Sequence, residues 1–142
     1  MTVAYASVPR VPELSYFFPA HDEEANVGGL VAEALEALPG LAERFEILIV
    51  DDGSRDATGQ IAERLANEHP GVVRVVHHAT NLGYGAALRS GFAASRYGLV
   101  AFTDALGLPA PAVVDEDPVR ALPVLDLHAH GLSSFRPARS GR

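Results

Sequence analysis

Two adjacent carboxylates, Asp51 and Asp52, close the apolar run Ile47-Leu48-Ile49-Val50 and are followed at once by Gly53-Ser54. Acids in such a pair can accept hydrogen bonds from ring N–H or ribose hydroxyl groups, or hold a hard cation. The apolar, mostly β-branched run before them suits a strand buried on both faces of a parallel sheet. In an open α/β sheet the carboxyl end of a strand is where ligands bind. The same acids could also do no more than end a strand and help begin a helix. This stretch alone does not separate the two.

Three further polar clusters follow apolar runs in the same way: Pro19-Ala20-His21-Asp22-Glu23-Glu24-Ala25-Asn26, Phe102-Thr103-Asp104-Ala105, and the glycine-rich Asn81-Leu82-Gly83-Tyr84-Gly85-Ala86-Ala87-Leu88-Arg89-Ser90-Gly91-Phe92. If the runs are parallel strands, all four clusters meet on one rim. Such a rim suits a nucleotide: acids for base and ribose donors, backbone N–H groups for phosphate, and a carboxylate for a bridging cation.

The elements that must position these clusters can be read from periodicity. Leu14–Phe18 reads as a first strand, closed by Pro19. Val27, Leu30, Val31, Ala34, Leu35 and Leu38 fall at helical spacing within Ala25–Leu38, and Pro39-Gly40 stops that helix. A second strand is expected over Phe45–Val50. Asp56 is placed to cap a second helix whose buried stripe is Ile61, Ala62, Leu65 and Ala66. Val72–Val76 reads as a third strand, with His77-His78 closing it as a solvated or packed pair rather than a metal site. A third helix is expected from Ala86 to Ser95 and a fourth strand over Leu99–Thr103. The βαβαβαβ order predicts an α/β fold, a Rossmann-like parallel sheet with flanking helices on both faces. Residues 1–13 are expected to be a leader and residues 14–104 the domain.

Composition sets outer bounds. A chain of 142 residues with 48% apolar and 20% charged residues is that of a globular protein with one core. The net charge of −7 argues against nucleic acid as a partner. The absence of cysteine excludes disulfides and thiolate metal sites. The N-terminus is not expected to be a secretory signal, and no stretch approaches the roughly 20 apolar residues of a membrane span.

Residues 14–104 resemble the N-terminal half of a family 2 glycosyltransferase with the GT-A fold, and within that family the dolichyl- or polyprenyl-phosphate sugar transferases. The opening Pro-Ala-Tyr-Asn-Glu-Glu-x-Asn of that group is matched by Pro19–Asn26 with two substitutions. Its Val-Asp-Asp-Gly-Ser-x-Asp-x-Thr is complete as Val50–Thr58, and its Asn-x-Gly-x-Gly-x-Ala-x-Arg-x-Gly-Phe is complete from Asn81 to Phe92. The resemblance implies that Pro19, Ala20 and His21 line the base and ribose, and that Glu23 accepts from a ribose hydroxyl. It places Asp51 or Asp52 on a ring N–H of uracil or guanine. Asn81, Gly83, Gly85 and Arg89 would lie near the diphosphate, and Asp104 would hold Mg2+ or Mn2+. The implied partners are a nucleotide-diphosphate sugar (GDP- or UDP-sugar) and a lipid-phosphate acceptor such as polyprenyl phosphate. The implied location is cytoplasmic, peripheral to the inner face of the membrane.

The chain departs from that pattern after Asp104. Where the family reads Asp-Ala-Asp-x-Gln, this chain reads Asp104-Ala105-Leu106-Gly107-Leu108, and leucine cannot coordinate a hard cation. Residues 105–142 carry five of the ten prolines, balanced charge and no convincing period, and look unrelated to the family. The downstream catalytic base is not recognisable there, so this segment is expected to be an out-of-frame or otherwise replaced tail on a truncated gene. A catalytically inactive nucleotide-binding remnant is the alternative to an active transferase. Leu125-Asp126-Leu127-His128-Ala129-His130 resembles a hydrolase metal motif but lacks room for its further ligands. Gly83-Tyr84-Gly85 fits a dinucleotide loop poorly, because it follows the third strand and Leu88 occupies the last glycine position.

Overall fold

A computed structural model of the chain describes residues 10–103 and 134–137. The order is β1 (Val11–Ala20), α1 (Val27–Ala37), a 3-10 turn at Leu38–Gly40, β2 (Ala42–Asp52), α2 (Thr58–Glu68), β3 (Val73–His78), α3 (Tyr84–Ala94), β4 (Leu99–Phe102) and β5 (Ser134–Pro137). The sheet order is β3-β2-β1-β4-β5. β1 to β4 are parallel, and β5 runs antiparallel to β4.

The central strands β1 and β2 are buried on both faces, which is why their sequences are nearly unbroken apolar runs. Alternation divides the core in two. Leu14, Tyr16, Phe18, Ile47 and Ile49 pack against Val27, Val31 and Ala34 of α1 and Ala62 and Leu65 of α2. Phe17, Leu48, Val50 and Val100 face the other way, against Ala87, Leu88 and Phe92 of α3. The chain thus runs β1, β2, β3 in one direction across the sheet, then crosses back to place β4 on the far side of β1. That reversal next to β1 is where α/β sheets open a crevice.

α3 approaches the sheet through Gly91, where an added Cβ would fall 2.2 Å from the ring of Phe17. That ring stacks on Phe102 at 5.5 Å and meets Phe92 edge-on at 5.1 Å. Such aromatic packing leaves no slack for a methyl group.

Several expected boundaries move. β1 starts at Val11, not Leu14, so three residues of the expected leader are strand; Val11 N–H donates to Leu41 O at 2.9 Å and pairs with Ala42. Pro12 is tolerated because its missing N–H lies on the side that β4 does not reach until Ser15. β3 extends through His77 and His78, and β2 through Asp51 and Asp52, with Asp51↔His77 and Asp52↔His78 in register. Asp56 does not occupy the N-cap of α2; Ala57 does, without a side-chain bond, and Asp56 Oδ1 accepts from Thr58 N–H at 2.9 Å. Asp104 and residues 105–133, including the Leu125–His130 motif, lie outside the described residues. Residues 134–137, from the expected tail, form β5.

At the amino end of the sheet, Glu46 is fully buried. It accepts from Ser15 Oγ at 2.9 Å, Arg74 Nη1 at 2.7 Å and the Arg96 backbone N–H at 2.8 Å, tying β1, β2, β3 and the α3–β4 connection together.

Candidate functional site

The carboxyl ends of β1, β2 and β3 hold the expected residues. The turn after β1 is shaped by Asp22, the one non-glycine residue with positive φ (50°) among the described residues. Aspartate accepts that left-handed backbone more readily than most residues. Its N–H donates to Ser54 Oγ at 3.1 Å and its Oδ1 accepts from Arg55 N–H at 2.8 Å. Next to it, Glu23 N–H donates to Thr58 Oγ1 at 2.9 Å, and Ala57 N–H donates to Glu24 Oε2 at 3.0 Å. Asn26 Nδ2 donates to Glu23 Oε2 at 2.7 Å, holding that carboxylate at the loop surface. The stretch after β1 and the stretch after β2 are therefore one hydrogen-bonded unit.

The two acids of β2 part company. Asp51 continues the face of Ile47 and Ile49, towards α2. Its Oδ1 accepts from Ser54 N–H at 3.1 Å, and its Oδ2 lies 2.8 Å from His77 Nδ1. His77 Nε2 reaches Glu63 Oε1 at 2.6 Å. The hydrogen bonds to Asp51 first and Glu63 second hold the His77 pKa above its ordinary value, against the opposing pull of burial.

Asp52 continues the face of Leu48 and Val50, towards α3. Its Oδ1 accepts from Leu82 N–H at 2.9 Å and its Oδ2 from Gly83 N–H at 3.1 Å. His78 Nδ1 stands 2.7 Å from Oδ1. Burial pushes the Asp52 carboxyl up, but the Leu82 amide, the His78 ring and the Gly83 amide together outweigh it and leave the pKa lowered. The Asp52 carbonyl meanwhile accepts from His21 Nδ1 at 2.9 Å, which fixes the His21 tautomer as Nδ1–H. One residue of the second signature segment thus bonds to both of the others.

Gly83 sits at φ 95°, ψ 166°, a region open essentially to glycine, and ends the loop as N-cap of α3 with no side-chain cap. Asn81 Oδ1 accepts from Gly83 N–H at 3.0 Å. The N-terminal end of an uncapped helix favours an anion. Arg89, one turn further along α3, brings its guanidinium near Gly85: a Cβ there would lie 3.5 Å from Nη1. Gly53, at φ 66°, lets the chain after Asp52 run against the Thr80–Asn81 backbone, where a Cβ would come within 2.2 Å of Thr80 C.

His21, Asp52, Asn81 and Gly83 are therefore brought together, with Pro19 and Ala20 beside them in register with Val50 and Asp51. Asp51 is not part of that group. It lies instead beside a surface groove of about 770 Å³ lined by Ser54, Arg55, Gln60, Glu63, Arg64 and His77, among others. No aliphatic side chain lines this open groove, which makes it a poor ligand pocket despite its volume. Asp104 lies outside the described residues, and among those described no group of three or more metal-ligating side chains is disposed to hold a cation. The residues not anticipated are His78 and Ser90, whose Oγ lies 2.7 Å from His78 Nε2. The adjacent His-His at the end of β3, opposite Asp-Asp at the end of β2, was the signal available for His78.

Comparison with known proteins agrees with this architecture. The family model described as glycosyl transferase family 2 matches residues 15–114. The dodecaprenyl-phosphate galacturonate synthase of Rhizobium johnstonii is 36% identical over 92 residues, covering 65% of this chain and 27% of that protein. The polyprenol monophosphomannose synthase of Mycolicibacterium smegmatis is 36% identical over 87 residues, covering 61% and 31%. The chain spans about a quarter to a third of the length of these relatives. The crystal structure of S. aureus TarS 1-349 in complex with UDP-GlcNAc superposes with a TM-score of 0.53 at 24% identity over 66% of this chain and 26% of that one, a likeness of fold. A mycobacterial protein of known crystal structure gives a TM-score of 0.51 at 31% identity over 70% and 32%. With its three signature segments joined at one sheet rim and a family model matching most of its length, this chain belongs to glycosyl transferase family 2, and its parallel sheet with flanking helices is that of the GT-A glycosyltransferases.

Proposed function

We propose that the rim at Asp52 binds the nucleotide part of a nucleotide-diphosphate sugar, and that the parent reaction is sugar transfer from a GDP- or UDP-sugar to an acceptor such as polyprenyl phosphate at a membrane surface. The observation that carries the reading is Asp52 itself, bonded to His21, Leu82, Gly83 and His78 at once. An ionised carboxylate has about four acceptor positions, and three are taken, two on Oδ1 and one on Oδ2. One position on Oδ2 is left for a base N–H. Pro19, Ala20 and His21 would flank the base and ribose, Glu23 would accept from a ribose hydroxyl, and Asn81, Gly83, Gly85 and Arg89 would surround the diphosphate at the start of α3. Asp51, engaged by Ser54 and His77, would act by shaping the turn rather than by touching the base. Two relatives are named as synthases of sugars linked to a polyprenyl phosphate, which supports the acceptor class. No helix among the described residues is long and apolar enough to cross a membrane.

Asp104 is the residue by which the family resemblance would place Mg2+ or Mn2+. The donor set does not fit a cation, because Leu106 and Leu108 stand where oxygen ligands are expected. That same substitution favours the second reading, a nucleotide-binding remnant without transferase activity. Titration calorimetry with UDP and GDP tests the binding reading. Weak binding that Asp52→Ala reduces about tenfold or more is expected; equal affinity in variant and parent rejects the role of Asp52. Incubation with a nucleotide-sugar donor and polyprenyl phosphate separates transferase from remnant.

A further inference from the structure

Behind Asp52 lies a second row of side chains. His78, at the end of the edge strand β3, has only 8% of its side chain exposed. Its Nδ1 is 2.7 Å from Asp52 Oδ1 and its Nε2 is 2.7 Å from Ser90 Oγ, in the middle of α3. Asp52, ionised, can only accept, so the Nδ1 carries the proton. In the neutral ring Nε2 then accepts from the Ser90 hydroxyl; in the charged ring it donates to the same oxygen. A hydroxyl that rotates satisfies either state.

The need for such a row follows from the torsion it controls. The last side-chain torsion of aspartate is broad and has no strong rotamer preference. The plane of the Asp52 carboxylate is therefore set by its donors. The Leu82 and Gly83 amides belong to a loop whose glycine has positive φ, and the loop is itself held by Asp52. Carboxylate and loop would shift together unless a third donor tied them to rigid elements. His78 is that donor, anchored in β3 by the ladder to β2 and at its far nitrogen by α3.

We propose that His78 and Ser90 are positioning residues of the donor site: the row Ser90–His78–Asp52 fixes the carboxylate plane so that one acceptor position on Oδ2 is kept for a nucleotide N–H. The inference rests on the donor-site reading above. It assigns to His78 an effect on affinity that exceeds its effect on folding.

The test is nucleotide affinity of the full chain, by calorimetry with UDP and GDP, for the parent and for Ser90→Ala, His78→Asn and His78→Leu. Alanine favours a helix more than serine does, so Ser90→Ala is expected to bind about three- to tenfold more weakly with an undiminished melting temperature. His78→Leu fills the space without a donor and is expected to lose about tenfold or more. His78→Asn keeps a donor where Nδ1 stood and is expected to recover most of that loss. Nitrogen NMR of the His78 ring is expected to show a protonated Nδ1 hydrogen-bonded to a carboxylate. If the parent binds neither nucleotide, the donor-site reading falls and this inference with it. If the parent binds and all three variants bind equally well, the positioning role alone is overturned. Should His78→Leu not fold, Ser90→Ala decides by itself: parent-like affinity rejects the row.

Discussion

Asp51 and Asp52 are neighbours in the chain, yet their carboxylates serve opposite faces of the sheet: Asp51 binds His77 at 2.8 Å on the α2 side and Asp52 binds His78 at 2.7 Å on the α3 side. Two acid–imidazole pairs, one above and one below the same two strands, lock the end of β2 to the end of β3. Their consequences differ because only the α3-side pair reaches the glycine-rich loop.

The α2-side pair makes stability depend on pH near neutrality. The His77 pKa is raised in the folded state by Asp51 and Glu63. A raised folded pKa means that the folded state binds the proton more tightly than the unfolded one. The stabilisation is complete below the unfolded value of about 6.5 and is lost as pH rises through the folded pKa. Melting curves between about pH 5.5 and 8.5 should fall with pH in the parent and flatten in His77→Gln. A parent curve with no downward slope contradicts the assignment.

Acid affects the other pair in the opposite sense. Asp52 has a lowered folded pKa, so its contribution is present above its unfolded value near 3.9 and is lost as pH falls through the folded pKa. Asp52→Asn should therefore lose less stability between about pH 5 and pH 2 than the parent, as followed by chemical unfolding at each pH.

Gly91→Ala sets helix propensity against packing. In an open helix the change gains about 1 kcal/mol. Here the new methyl would lie 2.2 Å from the fully buried ring of Phe17, and overpacking costs about 1–3 kcal/mol or more. Packing should win, giving a net loss of stability in urea unfolding. A variant more stable than the parent would mean that α3 can slide off Phe17.

Arg74→Met strips the principal cation from Glu46, which is 1% exposed along its side chain. Removing one partner of a buried pair costs about 3–5 kcal/mol. Arg96 Nε, 3.6 Å from the same carboxylate, remains and should keep the loss at the lower end. The midpoint of denaturant unfolding measures it, and a shift worth less than 1 kcal/mol would rule out Glu46 as the anchor of the amino rim.

Much of the fold was legible because strands such as Ile47–Val50 and helices such as Val27–Ala37 announce themselves through local periodicity. The division of Asp51 from Asp52 was legible too, since residues alternate across a strand, but the acids were read as a pair because they adjoin in sequence. The His77–Asp51 and His78–Asp52 contacts were not visible. They depend on the register of β3 against β2, set by residues far apart in the chain, and no local period encodes register. Ser90 was hidden for the same reason, its partner lying across an element boundary. Glu46 lies within the strand expected over Phe45–Val50, where nothing local marks it as buried; its burial follows from Ser15, Arg74 and Arg96 arriving from three other segments.

The left-handed backbone at Asp22 narrows what mutation can do there. The signature that Pro19–Asn26 resembles has asparagine at this point, and this chain carries aspartate. Both tolerate positive φ and both present a side-chain oxygen to the Arg55 amide. Glycine would keep the turn and lose the clasp, while a branched side chain would forfeit both. The position is thus free to drift between two residues and almost nowhere else, because only those two keep the first and second loops in contact.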